Sequence, residues 1–312
     1  MISAVLVSTW EAGLFVFSSG PPERELVGHS IQALASDGHG GALAIVDENS
    51  LRRRATDGAW STIAAAENLA CCVAAGGAIY IGTNDPSILR VDATGKIEKL
   101  TGFDQITGRD TWYAGSAIVD GKRVGPPLGV RSIAATADGD VVLANIHVGG
   151  IPRSIDRGAT WRPTIDVATD VHEVRFHPAR PNVVAAASAL GLCISTDGGV
   201  TWDVDNRGLH ASHCSAVAFV GDDVLASASI NPFIPEGALY RRGVDDHGPL
   251  VRVTGGLPEW LGAKVDTRCI AVQGSNVAIA DMSGVLHVSA DSGRTWTRNA
   301  DNIPMPSSVL IA

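Results

Sequence analysis

Short apolar runs separated by turn residues recur along the chain. Runs such as "DVVLAN" (140–145) and "NVVAAAS" (182–188) are too short for helices and contain the β-branched residues that favour strands. A glycine and another apolar run follow each of them, as in "GGIPRS" (149–154) and "GLCIS" (191–195). The pattern predicts antiparallel strands joined by tight turns, and therefore an all-β protein.

An octapeptide with the pattern S-x-D-x-G-x-T-W ends three of these units. The copies "SIDRGATW", "STDGGVTW" and "SADSGRTW" start at positions 154, 195 and 289, at intervals of 41 and 94 residues. The first interval is typical of a four-stranded propeller blade of roughly 40 to 50 residues, and the second is about twice that length. Two degenerate copies lie where further blades are expected, "LRRRATDGAW" (51–60) and "ALYRRGVDDHGPLVRV" (238–253).

The residue types of the octapeptide favour a β-hairpin. An aspartate accepts hydrogen bonds from amides two or three residues further on, and a glycine adopts the positive φ that the turn needs. The threonine and tryptophan then begin the returning strand, and the indole packs between neighbouring sheets. These properties indicate that the octapeptide has a structural role.

Counting by this template gives seven blades. The first strands of six blades are predicted to begin near His29, Ala70, Arg131, His172, His213 and Arg268. The chain ends supply the other blade, with a second and third strand in residues 4–19 and a first strand in residues 306–312. We therefore predict one domain over residues 1–312, a seven-bladed β-propeller closed by N- and C-terminal strands, with the octapeptide hairpins on outer blade edges. The terminal blade is blade 1, and the others follow as blades 2 to 7.

Two segments break the regular spacing. Residues 101–127 intervene between blades 3 and 4, and "INPFIPEG" (230–237) lengthens a loop of blade 6. Long loops inside compact domains are usually functional or mobile. We predict that 101–127 is a lid over a binding site, and the alternative is a cap that merely closes the channel.

The octapeptide resembles the Asp-box, or BNR, repeat of sialidases, sortilin-type receptors and many bacterial propellers. Through "HVGG", "DVHEV", "GLPEW" and "DTRC", almost the whole chain resembles intracellular bacterial WD40/YVTN/BNR-like repeat proteins. The resemblance implies that the boxes lie far from the axis, and it implies no particular activity. Sialidase activity is not expected, because that family has six blades and a nucleophilic tyrosine. Here Tyr80 and Tyr240 lie within predicted strands, which leaves only Tyr113.

Composition excludes several classes of partner. With 45% hydrophobic residues and 18% charged residues the chain can bury a large core, and a net charge of −9 disfavours binding to nucleic acid. No apolar stretch is long enough for a membrane span, and the N-terminus lacks the basic region of a signal peptide. The five cysteines are odd in number and lack CxxC spacing. We expect a cytoplasmic protein with reduced, buried thiols and with no nucleic-acid or membrane partner.

Alignment of the first strands places one residue of each blade at an equivalent position near the axis. These residues are His29, Cys71, Arg131, His172, His213, Arg268 and Ser307. Five of the seven are histidines or arginines, so we expect them to converge on one mouth of the channel. The alternative is that they are polar residues that fill a wet channel and bridge the blades through water.

A divalent metal ion is one candidate ligand of this mouth. "ANIHVGG" places His147 on blade 4, beside His172 of blade 5 and His213 of blade 6. Neutral imidazoles bind divalent transition metals, and Asp170 or Glu173 adds a carboxylate nearby. The sequence thus offers His147, His172 and His213 as a metal site, although no local spacing motif connects them.

An anionic ligand is the other candidate. Arg131, Arg268 and Arg109 can clamp a carboxylate or phosphate, with His172 or His213 as general acid or base. The predicted catalytic residues are therefore His172, His213, Arg131 and Arg268. Aromatic and polar residues of nearby loops complete the predicted ligand-binding set, which is Arg109, Trp112, Tyr113, Trp10, Asn231 and His29.

Two functions remain open at this stage. The first is a small-molecule-binding propeller, a hydrolase or lyase that acts on a small polar, anionic or carbohydrate-like ligand, with or without a divalent metal ion as cofactor. The second is a non-catalytic scaffold for a protein partner, which requires an exposed apolar or aromatic patch on a rim.

Overall fold

The computed structural model describes residues 4–114, 117–119, 122–124, 128–231, 234 and 236–312. Seven four-stranded antiparallel sheets surround a central channel, and the only helices in the described ranges are three short 3-10 turns. The molecule is a seven-bladed β-propeller, as the sequence predicted.

The first half of the propeller comprises three blades. Blade 1 contains β1 (Val5–Thr9), β2 (Leu14–Phe17) and β3 (Glu23–Glu25). Blade 2 contains β4 (Ile31–Ser36), β5 (Ala42–Val46), β6 (Ser50–Arg54) and β7 (Trp60–Ala65). Blade 3 contains β8 (Leu69–Ala75), β9 (Ala78–Thr83), β10 (Ile88–Val91) and β11 (Ile97–Lys99).

An insertion follows blade 3. It contains the 3-10 turns η1 (Thr101–Gln105) and η2 (Arg109–Thr111) and the paired strands β12 (Ala117–Val119) and β13 (Lys122–Val124). Blade 4 then contains β14 (Val130–Ala135), β15 (Val142–Ile146), β16 (Pro152–Ser154) and β17 (Arg162–Pro163).

The remaining blades follow a third 3-10 turn, η3 (Val167–Thr169). Blade 5 contains β18 (Val171–Phe176), β19 (Val184–Ser188), β20 (Gly191–Ser195) and β21 (Asp203–Asp205). Blade 6 contains β22 (His213–Val220), β23 (Asp223–Ser229), β24 (Ala238–Gly243) and β25 (Val251–Arg252). Blade 7 contains β26 (Ile270–Gln273), β27 (Asn276–Ala280), β28 (Leu286–Ser289) and β29 (Thr297–Ala300), and β30 (Pro306–Ile311) returns to blade 1.

The two terminal strands close the ring. β30 is the innermost strand of blade 1 and pairs with β1 from Val5–Ile311 to Ser8–Ser308. The Ser8 and Ser307 hydroxyls, 2.9 Å apart, add a side-chain hydrogen bond. Closure pairs the inner edge of β1 and gives blade 1 its fourth strand.

The second strand of each blade is buried on both faces, which explains the continuous apolar runs in the sequence. All five residues of β5, β15 and β19 are buried. Both faces of these strands pack against adjacent blades, so polar and apolar positions do not alternate. The hydrophobic core is therefore a set of layers between blades.

The octapeptides connect third and fourth strands on the outer blade edges, as predicted. In the second copy, Asp197 accepts hydrogen bonds from the Thr201 amide (2.9 Å) and the Thr201 hydroxyl (2.6 Å). The Ser195 hydroxyl accepts a hydrogen bond from the amide of Gly199, which has φ of +84°. Asp156 and Asp291 make the same bonds to Thr160 and Thr295. Each turn is thus closed by its own side chains.

The insertion is anchored on blade 4. Phe103 is fully buried and meets the octapeptide residue Trp161 edge-on, with ring centroids 5.0 Å apart. Trp112 is buried on the other side of Phe103, at 5.8 Å. Residues 115–116, 120–121 and 125–127 of the predicted lid lie outside the described residues, as do 232, 233 and 235 of the blade 6 loop.

The five cysteines are buried and form no disulfide. Burial raises the pKa of Cys214 to about 12, so this thiol is unreactive at neutral pH. In the part of the chain that the structure describes, no helix has the length and apolar character needed to cross a membrane.

Candidate functional site

The inner strands all start at one end of the channel, which we call the strand-start mouth. Because successive strands of a blade are antiparallel, the loops between second and third strands lie at this end too. His147 is in such a loop of blade 4, and Asp170 directly precedes β18 with φ of +48°. Arg131, His172 and His213 are the first or second residues of β14, β18 and β22.

β-bulges determine which residues turn toward the channel. The pairing register shifts between Val130 and Ser132 and between Val171 and Glu173, so Arg131 and His172 are the extra residues of two bulges. Blade 2 has the same bulge between Ile31 and Ala33. An extra residue breaks the alternation of side chains and redirects its own side chain.

The bulges correct the alignment that was used to predict the ring. Gln32, not His29, is the blade 2 residue at the bulge. In blade 3 the shift falls between Leu69 and Cys71, which places Ala70 at that position. The Cys71 thiol instead donates to the Val130 carbonyl of blade 4, at 3.3 Å. The Ser307 hydroxyl likewise donates to the Ile31 carbonyl, at 2.5 Å. Sequence spacing could not show these differences, because a bulge leaves no local motif.

Two histidines and an aspartate come together at the mouth. The Asp170 carboxylate lies 3.8 Å from His147 Nε2 and 3.7 Å from His172 Nε2. One ligand atom from each of the three residues can be chosen so that all lie within 4.8 Å of one another. Both histidines are buried, and Asp170 is half-buried.

His172 is held in a defined orientation. Its Nδ1–H donates a 2.6 Å hydrogen bond to the Cys214 carbonyl, and its Nε2 faces the Asp170 carboxylate at 3.7 Å. The His213 ring packs against His172 with centroids 4.6 Å apart. The structure therefore brings all three predicted histidines together, with His213 beside the cluster of His147, Asp170 and His172.

Burial keeps two of these imidazoles neutral. It lowers the pKa of His147 to about 3, with a further contribution from the Arg131 charge. It lowers the pKa of His213 to about 4, aided by His172 and Lys264. Burial alone would raise the pKa of Asp170, but the adjacent His172 and His147 lower it below its usual range. At neutral pH the mouth thus presents neutral nitrogen donors beside an ionised carboxylate.

Arg131 lies beside this group in a network of its own. It donates to the Thr267 hydroxyl at 3.1 Å and is 3.6 Å from Asp266. Asp266 also pairs with Lys264 at 3.1 Å. Lys264, Asp266 and Thr267 were absent from the predicted site, although polar residues cluster just before the first strand of blade 7.

Arg268 spans the channel instead of facing a ligand. From blade 7 its guanidinium donates to the main-chain carbonyls of Arg131 on blade 4 and of Gln32 on blade 2, the latter at 3.0 Å. Its amide donates to Glu173, which also accepts from the Val217 amide and pairs with Arg175. Arg268 and Glu173 therefore tie the blades together.

A cavity of about 360 Å³ lies along the axis. It is lined by residues of all seven inner strands, with Glu173, Arg175 and Cys72 among them. Arg268 lines it too, whereas the residues of the histidine cluster do not.

His29 lies on the rim at blade 2. Its Nδ1 is 2.6 Å from Asp47, whose other oxygen accepts from the Ser30 amide. The His29 side chain is 39% exposed. It is a surface residue and is not part of the histidine cluster.

The insertion residues have different environments. Arg109 donates to the Pro86 carbonyl at 2.7 Å and stacks over Trp112 at 4.9 Å. Trp112 is only 8% exposed, so both residues form the core of the insertion. Tyr113 is 57% exposed, and its amide donates to Val148, the neighbour of His147. Of these three, only Tyr113 has a largely exposed side chain.

The other two predicted ligand-binding residues are on mouth loops. Trp10 lies between β1 and β2 and is 36% exposed. Asn231 follows β23, and its side-chain oxygen accepts a hydrogen bond from the Ile234 amide at 3.2 Å.

No protein-family model and no curated protein matches the sequence. Solved structures do match the fold. The computationally designed Ika8 protein has a TM-score of 0.61 at 13% identity, over 92% of this chain and 80% of that one. An ancestral GH74 enzyme has a TM-score of 0.61 at 14% identity, over 99% of this chain and 40% of the enzyme.

The GH74 xyloglucanase from Xanthomonas campestris has a TM-score of 0.57 at 18% identity, over 86% of this chain and 45% of that enzyme. This chain therefore spans less than half the length of the two GH74 enzymes. Likenesses at such low identity show the fold alone, and the fold they show is the β-propeller.

Proposed function

We propose that this protein is a small-molecule hydrolase that binds a small anionic or carbohydrate-like ligand at the strand-start mouth. One observation carries the proposal: His147, His172, His213 and Arg131, from three adjacent blades, gather around the Asp170 carboxylate. A propeller does not need so many ionisable groups at one point for its stability. Clusters of this kind are concentrated at active sites.

Arg131 is the group that attracts an anion. It lies 3.6 Å from Asp266, which also pairs with Lys264, and the carboxylates of Asp170 and Glu173 act on its charge as well. Its guanidinium is the group of this cluster that can bind a carboxylate or phosphate of a ligand through paired hydrogen bonds.

His213 is the group that transfers a proton. It is neutral in the free protein, because burial lowers its pKa to about 4. An anionic ligand beside the ring would raise this pKa toward neutrality, since a negative charge favours the protonated imidazole. Binding would thus convert a weak base into a general acid–base group that is effective near pH 7.

Two further observations support the proposal. Structural neighbours include GH74 enzymes, one of them a xyloglucanase, so a carbohydrate is a reasonable ligand class. The hydrogen bonds within the octapeptides support kinship with Asp-box propellers. Under this proposal the protein acts in the cytoplasm.

The test is a ligand screen with matched variants. The panel contains aryl glycosides, uronic acids, phosphate monoesters and carboxylate esters, measured by thermal shift and by product release. A true ligand stabilises the native protein and the exposed-surface control Arg298→Gln, but not Arg131→Gln. Turnover is lost in His213→Gln while binding is retained. Failure of every compound to bind at millimolar concentration rejects the proposal.

A protein-binding scaffold is the second candidate, and the exposed apolar side chains of the mouth favour it. Trp10, Met305, Ile230 and Tyr113 are all at least 36% exposed. Trp10 and Met305 are adjacent, because the Trp10 amide donates to the Met305 carbonyl at 3.3 Å. If the protein is a scaffold, Trp10→Ser should weaken the binding of a protein partner, and His172→Gln should leave that binding unchanged.

A further inference from the structure

We propose that His147, His172 and Asp170 form a binding site for one divalent transition-metal ion, with two imidazole nitrogens and one carboxylate oxygen as ligands. The inference deepens the proposed function and rests on it only for the part that the ion would take in hydrolysis. It also replaces the three-histidine set of the sequence analysis, because it assigns Asp170 as a ligand and leaves His213 outside the set.

The donor atoms determine which ions fit. Two imidazoles and a carboxylate suit Zn²⁺, Fe²⁺, Co²⁺ or Ni²⁺, whereas Ca²⁺ and Mg²⁺ prefer oxygen ligands alone. Three protein ligands leave at least one coordination position for water or a substrate.

The spacing of the donors is close to what such an ion needs. Ligands roughly 2.1 Å from a tetrahedral ion are about 3.4 Å apart. His147 Nε2 is 3.8 Å from Asp170 Oδ1, and His172 Nε2 is 3.7 Å from Asp170 Oδ2. One donor atom from each residue lies within 4.8 Å of the other two, so side-chain rotations that draw the donors together by about 1 Å would bring them into coordination.

The environment of His172 is that of a metal ligand. A coordinating histidine usually donates its other ring N–H to a carbonyl or carboxylate, which fixes the tautomer. His172 Nδ1 makes this bond to the Cys214 carbonyl at 2.6 Å. The ring is further confined by His213, so the Nε2 lone pair is oriented before any ion arrives.

The Asp170 carboxylate lacks a partner for one oxygen. Asp170 Oδ1 is buried and makes no hydrogen bond with any described residue. Leaving a buried charged oxygen without a hydrogen-bond partner destabilises the fold. A cation between Oδ1 and the two rings would satisfy it.

An ordinary ion pair is the competing explanation, in which a protonated histidine satisfies Asp170. The contact distances of 3.7 and 3.8 Å are longer than a charge-assisted hydrogen bond. The arrangement is thus better suited to an ion than to a direct histidine–aspartate bond.

The experiment measures metal binding by the full chain. The protein is stripped with EDTA, titrated with Zn²⁺ by calorimetry, and loaded with Co²⁺ to record the d–d absorption that reports ligand number. The variants are His172→Gln and Asp170→Asn. The controls are His213→Gln, which borders the site, and His39→Gln, an exposed histidine elsewhere. Circular dichroism and thermal unfolding in EDTA confirm that each variant is folded.

We expect one Zn²⁺ per chain, with affinity weakened by roughly 100-fold in His172→Gln and Asp170→Asn. The two controls should bind within threefold of the native protein. Substoichiometric binding, or equal affinity in His172→Gln, overturns the site. Loss of binding in His213→Gln overturns the assigned ligand set.

The metal site and the proposed function can fail separately. If the protein binds one Zn²⁺ per chain but turns over no compound of the panel, the metal site stands and the hydrolase proposal is rejected. Turnover that persists in EDTA, together with no Zn²⁺ binding, rejects the site and retains the hydrolase.

Discussion

The indole Nε1–H of Trp60 donates a 2.7 Å hydrogen bond to the carboxylate of Glu25. Glu25 is on β3 of blade 1, and the same carboxylate receives two hydrogen bonds from Arg54 of blade 2, at 2.6 and 2.8 Å. Trp60 belongs to the degenerate octapeptide of blade 2. In two of the three intact copies the equivalent Trp161 and Trp296 donate to a glycine carbonyl of their own turn, and in the third Trp202 donates to the Thr164 hydroxyl at 3.1 Å. The bond of Trp60 therefore joins blade 2 to blade 1 instead of closing its own turn.

The Glu25 junction should contribute to stability. Glu25→Gln removes the charge that Arg54 and Trp60 share, and we expect the free energy of unfolding to fall by about 1–3 kcal/mol, as for hydrogen bonds to charged groups. Urea unfolding measures the change. The control is Glu98→Gln, which breaks the exposed Arg90–Glu98 pair and should lower stability by no more than about 1 kcal/mol. Equal effects of the two substitutions would contradict the prediction.

The octapeptide aspartate should make stability depend on acidic pH. Burial opposes ionisation of Asp197, but the Thr201 hydroxyl and amide outweigh it and lower its pKa to about 2. A carboxyl group with a lowered folded-state pKa stabilises above its unfolded pKa of about 3.9, and the benefit is lost as pH falls through about 2. The stability difference between the native protein and Asp197→Asn should therefore be largest at pH 5–7 and shrink below pH 4.

Asp203→Asn, one strand further on and exposed, is the control for that experiment. Its stability relative to the native protein should change little over the same range. Chemical unfolding at a series of pH values measures both variants. A constant difference for Asp197→Asn from pH 6 to pH 2.5 would show that the turn does not depend on the ionised carboxylate.

The buried histidines should make the fold sensitive to mild acid. His213 has a folded-state pKa of about 4, below the value near 6.5 expected in the unfolded chain. Protons therefore bind the unfolded chain more tightly, and the stabilisation is complete above pH 6.5 and lost as pH falls through about 4. His213→Gln should lose less stability than the native protein between pH 7 and pH 4, whereas His39→Gln should follow the native curve. Parallel curves for all three proteins would refute the prediction.

Packing of Phe103 should hold the insertion on blade 4. Phe103→Ala removes a fully buried ring between Trp161 and Trp112, and we expect a loss of about 3–5 kcal/mol, as for other phenylalanine truncations. Phe103→Leu keeps most of the volume and should lose less than about 1.5 kcal/mol. Thermal unfolding of the three proteins, with tryptophan fluorescence as the local probe, measures both changes. A small effect of the alanine variant would indicate that the insertion folds independently of the blade.

The blade count could be predicted from the sequence, and so could the start of the inner strand in blades 4, 5 and 6. β14, β18 and β22 begin within one residue of the predicted Arg131, His172 and His213. Repetition made this possible, because each blade contains the same succession of apolar runs and turns. The octapeptide then fixed the register of the repeat in blades 4, 5 and 7.

The candidate site could be predicted only in part. The grouping of His147, His172 and His213 followed from the blade order, since loops and strand starts meet at one end of the channel. The position of Asp170 in this group could not be predicted, because its left-handed backbone conformation decides where the carboxylate lies. Trp112 was expected at the mouth, yet its ring is buried against Phe103. Such contacts depend on how the insertion packs in three dimensions, and the pattern of apolar and polar residues does not predict this packing.

The guanidinium of Arg268 affects the route by which a ligand can reach the histidine cluster. By joining carbonyls of blades 2 and 4 from blade 7, it crosses the axis of the propeller and is held there from two sides. We therefore expect a compound bound beside the histidines to enter and to leave at the strand-start mouth.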